Sequence, residues 1–204
     1  MTSRSNDVRI LQTKRLIRDA FTMLMEEKGF EGITVRDLAE RAAINRGTFY
    51  LHYTDKYDLL KQCEDEIIQK ILMIIEEVEK AIVNTAIISI SQNEPLPFLV
   101  TLLEYFFDNS LFLKCILGPM GDPSFQIKLK NVMKKNFLQK LLKHINTDEM
   151  IVPIDYFFAY VSSAHLGVIQ HWLESGLQQS PREIALIISK TTFLGPGYVV
   201  GLKK

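Results

Sequence analysis

The sequence predicts an all-α protein, and three observations carry that reading. Ile17, Ala20, Phe21, Leu24 and Met25 recur at i, i+3, i+4, i+7 and i+8, which gathers them into one apolar stripe on a helix. The stretch Lys56–Gln92 holds no Pro or Gly to interrupt a helix. Thr34 three residues before Asp37, and Ser180 three before Glu183, have the spacing of helix N-caps with an acidic partner.

Taken in order, Met1–Asp7 reads as a flexible polar arm, with Arg4 and Arg9 either meeting phosphates or belonging to a solvated tail. The first helix is expected from Ile10 to Lys28, with Gly29 as its stop. A short helix opening after Thr34 turns Leu38, Ala39 and Ala42 inward. Ala43-Ile44-Asn45 then breaks the pattern, and Asn45 caps a second short helix, Arg46–Tyr53. Two short helices joined by a three-residue turn are a helix-turn-helix pattern, whose second helix enters the DNA major groove.

The composition of that second helix fits a surface laid against DNA. Phe49 and Tyr53 share one face and can pack on Leu38 and Ile44. Arg46, Gly47 and Tyr50 fall on another face, with Thr48 and His52 beside them. Glycine inside a helix costs about 1 kcal/mol against alanine. Near the helix start it lets the backbone approach a duplex closely.

Downstream, Asp55 caps a long helix from Lys56 to about Ala81, with Leu59, Leu60, Ile67, Ile71, Ile74, Ile75 and Val78 as its apolar set. The domain boundary is placed inside this helix near Cys63, giving a DNA-binding domain over 1–62 and a helical domain over 63–204. A stiff connection of that kind suits the transmission of movement. Pro95 and Pro97 punctuate a loop, followed by Phe98–Asn109, a short apolar turn Leu111–Leu117, and the loop at 118–124. Helices are expected over Phe125–Ile145, Ile154–Ser175 and from Ser180 to Phe193, the last with Pro181 at its first position. The tail GPGYVVGLKK reads as non-helical.

Composition narrows the function classes. Formal net charge is zero, and residues 1–61 carry 11 Lys/Arg against 9 Asp/Glu. DNA affinity must therefore come from local placement of charge. Cys63 and Cys115 are too few for a disulfide framework and lack metal-site spacing, which fits reduced thiols in a cytoplasmic protein. No apolar run approaches the roughly 20 residues needed to cross a bilayer. The histidines at 52, 144, 165 and 171 form no metal-spaced pair, and no nucleophile motif, P-loop or dinucleotide loop is present. Neither an enzyme nor a cofactor is expected.

The run Thr34-Val-Arg-Asp-Leu-Ala, then Arg46-Gly-Thr-Phe-Tyr-Leu-His-Tyr, then Asp55-Lys56 and Leu59-Leu60, closely resembles the N-terminal domain of TetR-family transcriptional regulators. It departs at Ala43, where many members have Gly. The resemblance implies a homodimeric repressor, bound to a double-stranded inverted-repeat operator and released by a small-molecule effector in the C-terminal domain. It places Thr34, Arg36, Asn45, Arg46, Gly47, Thr48, Tyr50, Leu51, His52 and Lys56 at the DNA. Arg36 and Arg46 suit bidentate reading of guanine, while Thr34, Tyr50, His52 and Lys56 suit phosphates. The rival reading is a protein-interaction module of the same fold that binds another regulator.

For the effector, the candidates are Phe98, Leu102, Tyr105, Phe106, Phe112, Met120, Phe125, Met133, Phe137, His165 and Trp172, an apolar set with polar tips, to which His171 adds another. Side chains of this kind at helical spacing are more often plain core. In the family, the last two helices of each subunit pair in a four-helix interface. Tyr156, Tyr160, Ser163, Gly167 and Gln170, with Ile184, Ile187 and Ile188, are the candidates for it.

Overall fold

The computed structural model describes residues 2–77, 93–118, 121–141 and 149–202, and the described residues are helical without strands. Its elements are α1 (Thr2–Lys28), α2 (Val35–Arg41), α3 (Arg46–Tyr50), α4 (Lys56–Glu77), α5 (Pro97–Asp108), α6 (Ser110–Leu117), α7 (Pro123–Leu141), α8 (Ile154–Glu174), α9 (Pro181–Phe193) and α10 (Gly195–Val199). The chain divides into two compact units. Unit 1 is Met1–Ile67 with Cys115–Asp122, and unit 2 is Ile68–Lys114 with Pro123–Lys204. The helix α4 contributes residues to both.

In unit 1 the α1 stripe does what its spacing predicts: Ile17, Ala20, Phe21, Leu24 and Met25 are all buried. They form one core with Ile33, Leu38, Ala39, Phe49, Tyr53 and Leu59. Gly29 ends α1 at φ +69°, a left-handed stop that costs glycine nothing. In unit 2, Leu103, Phe106, Phe125, Trp172 and Ile188 are among the most deeply buried side chains.

Four expectations on element boundaries are corrected, the first being the apolar turn at Leu111–Leu117, which is the eight-residue helix α6, Ser110–Leu117. The segment read as a polar arm belongs to α1, which begins at Thr2 because no Pro or Gly precedes Gly29 to stop it. The second short helix ends at Tyr50 rather than Tyr53. Its last turn tightens, with the His52 N–H donating to the Phe49 carbonyl only three residues back, and Tyr53 still reaches the core. The tail contains a short helix, α10, opened by Pro196, whose fixed φ suits a first turn. The expected ends of α4 near Ala81 and of α7 near Ile145 lie outside the described residues, as do Met120, His144 and the side chains of Arg4 and Phe137.

Candidate nucleic-acid interface

The local structure of α2 and α3 begins with their caps. The Thr34 Oγ accepts from the Asp37 N–H at 3.2 Å, and Asp37 Oδ2 accepts from the Thr34 N–H at 2.8 Å, a reciprocal capping box. Lys28 Nζ lies 2.7 Å from the same carboxylate. The Lys28 ammonium, then the Thr34 hydroxyl and N–H, hold the Asp37 carboxyl well below its ordinary range. Arg41 closes a two-armed ion pair on Glu27, 2.7 Å at each nitrogen, tying α2 to α1.

The turn between the helices is made by Ala43 at φ +53°. The left-handed conformation is thus kept although a methyl group occupies the position, at a strain of about 1–2 kcal/mol. Asn45 then caps α3, its Oδ1 accepting from the Gly47 N–H at 2.9 Å. A Cβ on Gly47 would meet nothing closer than that Oδ1, at 3.6 Å. The glycine is therefore not demanded by the packing of this chain.

One side of α3 is sealed and the other is open. Phe49 is 0% exposed, while Tyr50 next to it is 57% exposed and Leu51 82%. Phe49 lies tilted at 5.6 Å from Tyr53 and edge-on at 5.7 Å against Tyr50, so the core ring braces the outward phenol. Thr34, Arg36, Asn45, Arg46 and Gly47 are exposed, and Thr48 and His52 are half-buried. Burial, then the charge of Lys14, lowers the His52 pKa, favouring its neutral form. Arg36 pairs with Glu40 one turn on, Nε to Oε1 at 2.7 Å.

Lys56 has a role that the sequence pattern does not disclose. Its ammonium donates to the carbonyls of Phe30 (3.1 Å) and Glu31 (3.0 Å), and stands 4.7 Å above the Phe30 ring. Only 14% of the side chain is exposed. It fastens the start of α4 to the turn after α1, and two of its three donors are committed there.

Unit 2 contains an apolar cavity of about 80 Å³. Of the candidate effector residues, Phe98, Leu102, Phe106, Met133 and His165 line it. Tyr105, Phe112, Phe125 and Trp172 do not. Phe112 and Phe125 pack into the core, and Trp172 turns its indole N–H to the Gln179 carbonyl at 2.8 Å. The sequence reading missed Lys134, Ser162, Ser189 and Thr192 on the wall. The phase of α9 was the available signal, because Thr192 sits one turn beyond Ile188. His171 is exposed and off the wall.

Of the residues expected at a dimer face, Tyr156, Tyr160, Ser163, Gly167 and Ile187 are exposed and Gln170 is half-buried. Ile184 and Ile188 are corrected: both are buried, at 4% and 1%, and Ile188 lines the cavity. The apolar stripe of α9 is its inward side, so only Ile187 of the three reaches the surface.

Residues 17–63 match the family of bacterial regulatory proteins typified by tetR, and residues 93–193 match a transcriptional regulator C-terminal region. A 56-residue stretch, 27% of the chain, is 38% identical to the uncharacterized HTH-type transcriptional regulator YxbF of Bacillus subtilis (strain 168), and spans only 15% of that protein. A TetR transcriptional regulator from Streptococcus agalactiae 2603V shares the fold at TM-score 0.63 and 22% identity, over 93% of this chain and 98% of that one. So does the regulator FadR of Bacillus subtilis, solved with stearoyl-CoA, at TM-score 0.62 and 14% identity, over 89% and 98%. The capped α2–α3 pair, its sealed inner face and these matches along both units agree: the chain belongs to the TetR family of transcriptional regulators.

Proposed function

We propose that this regulator represses transcription as a homodimer on an inverted-repeat operator, and that a small ligand in the unit 2 cavity releases it. The observation that carries the DNA reading is the two-sidedness of α3: Phe49 is sealed in the core while Arg46, Gly47 and Tyr50 face outward from a capped helix start. Arg46 reads guanine, and Thr48 meets a thymine methyl or a phosphate. The N-terminus of α2, Thr34, Tyr50 and His52 hold phosphates and set register. Arg36 joins the base readers by exchanging Glu40 for a base, since an exposed ion pair of this kind is weak. The third donor of Lys56, 3.7 Å from the exposed Glu31 carboxylate, would have to exchange that partner to reach a phosphate.

One such module buries too little surface to select a genomic site, and a two-fold pair doubles it. The exposed strip Tyr156, Tyr160, Ser163 and Gly167 on α8 supports pairing there. Nothing lies within 4 Å of a Cβ built on Gly167, so another helix has room to approach. Two-fold pairing predicts half-sites about 34–36 Å apart.

For release, the ligand must favour one of two conformations, and a coupling of roughly 1–3 kcal/mol is typical. The FadR neighbour was solved with stearoyl-CoA. A charged ligand of that kind needs a free cation at the wall. Lys134, the one charged residue lining this cavity among those described, has 46% of its side chain exposed and pairs with Asp155 at 2.7 Å, so its charge stands in solvent rather than in the enclosed, apolar part of the wall. That favours an uncharged occupant.

The test is fluorescence anisotropy on the duplex upstream of the chain's own gene, with every base pair of the protected site varied. Arg46→Ala should relax preference at one base pair in each half-site by about 1–3 kcal/mol while leaving non-specific binding in place. Failure to retain any duplex at low salt would instead point to a partner protein.

A further inference from the structure

We propose that the unit 2 cavity selects an uncharged, largely apolar molecule bearing one hydrogen-bond donor, a phenol or alcohol, which it binds at Nδ1 of His165. This rests on the reading of that cavity as the effector site, and it names the chemistry of the occupant.

The argument follows the protons on the wall. The Thr192 hydroxyl has one hydrogen, and we assign it to the Ile188 carbonyl, because two oxygens 2.7 Å apart repel unless a proton lies between them. Toward His165, whose Nε2 lies 2.7 Å away, the same oxygen can therefore only accept. Nε2 must carry the ring proton. The neutral ring then presents Nδ1 as a bare acceptor, and His165 has no further partner among the described residues. Burial keeps the ring neutral by pushing its pKa down to about 4.

The other polar wall groups repeat the pattern. The Ser189 hydroxyl donates to the Ala185 carbonyl at 2.7 Å, and Ser162 turns its hydroxyl toward the Ala159 carbonyl at 3.5 Å. Lys134 has 46% of its side chain exposed and keeps its charge beside Asp155 in solvent. Among its described hydroxyls the wall thus offers mainly lone pairs, with Ser162 alone, at 3.5 Å from its acceptor, holding its proton loosely. A carboxylate would meet acceptors in an apolar enclosure, which is unfavourable for an anion. A hydroxyl donor satisfies Nδ1 and leaves the rest of the ligand to the apolar wall.

Three of the smallest aromatic probes separate the classes: phenol, anisole and ionised benzoate, titrated calorimetrically into the full-length protein. The phenol should bind at least roughly tenfold tighter than either of the others, the difference expected from pairing one buried acceptor. His165→Phe should remove the phenol's advantage over the anisole. Nitrogen-15 NMR of the unsubstituted protein checks the same point without a variant, and should show His165 as the neutral Nε2–H tautomer at neutral pH. Benzoate binding tightest, equal binding of phenol and anisole, no binding by any probe, or an Nδ1–H tautomer would each overturn the proposal. Tight binding of benzoate would leave an effector cavity standing with a different ligand class. Absence of all binding, with operator affinity intact in the same preparation, would remove the cavity reading and leave the DNA reading.

Discussion

The inner side of α3 and the inner side of α8 were built from the same kind of apolar spacing, and they came out differently. Around α3 the core is closed: Phe49, Leu38, Phe21 and Ile17 are each 0% exposed, and the polar residues of the helix face outward. Between the end of α4 and α5, α7, α8 and α9 the packing leaves a cavity, and polar groups such as His165 and Ser162 face inward. Closure makes a rigid surface for display, whereas incomplete closure makes a volume to be filled. Amphipathic spacing says which side of a helix is buried. It does not say whether the buried side meets another side chain or a void.

That contrast can be broken most sharply by truncating a ring in each place. Phe49→Ala should cost about 3–5 kcal/mol in denaturant unfolding, because its closed surroundings cannot collapse. Phe106→Ala, equally buried but already facing the void, should cost less and recover part of the loss when a small arene such as benzene is added. Equal costs, with no recovery, would erase the distinction between the two cores.

Next in size is the effect of pH on unit 2. His165 is neutral in the folded protein down to about pH 4, while the unfolded chain takes up a proton below its ordinary value of 6.5. Stability from this group is therefore complete above about pH 6.5 and is lost as pH falls toward 4, by up to about 3 kcal/mol. His165→Gln should flatten that part of the profile of thermal midpoint against pH. An unchanged slope would place the acid sensitivity elsewhere.

Lys56 distinguishes fastening from DNA contact within unit 1. Lys56→Met removes two charge-assisted bonds to carbonyls and should lower stability by about 1–3 kcal/mol. If its third donor holds a phosphate, the slope of log affinity against log salt falls by roughly one contact per subunit. Stability loss without a slope change makes the residue purely a fastener. The smallest effect is expected at the turn, where Ala43→Gly should raise stability by less than about 1 kcal/mol. Relief of the left-handed strain is partly offset by the freer unfolded chain.

Legibility followed the range of the interactions. Caps and stripes are local, so Thr34, Asn45, Ser180 and the α1 set could be read from spacing alone. The hold of Lys56 on carbonyls 25 and 26 residues earlier is not local, and the pattern left its ammonium looking free. Cavity walls are harder still, since Tyr105 and Phe106 are neighbours in one helix and only Phe106 reaches the void. Ile184 and Ile188 went wrong for a related reason: apolar spacing marks a buried side without saying whether the same chain or a second one buries it. Thr192 passed unnoticed because a hydroxyl at a helix end is ordinary until the histidine 27 residues before it is placed alongside.

Consider finally what five residues of helix imply for genetics. So short a segment has no stability of its own, and its shape is borrowed from an asparagine at one end and a phenylalanine underneath. A screen for alleles that lose DNA binding should therefore return many lesions in Leu38, Asn45 and Phe49, residues whose loss collapses the platform, alongside the few expected to touch a base. Such alleles would be temperature-sensitive, and growth in the cold would restore them, which separates them from true recognition mutants at any temperature.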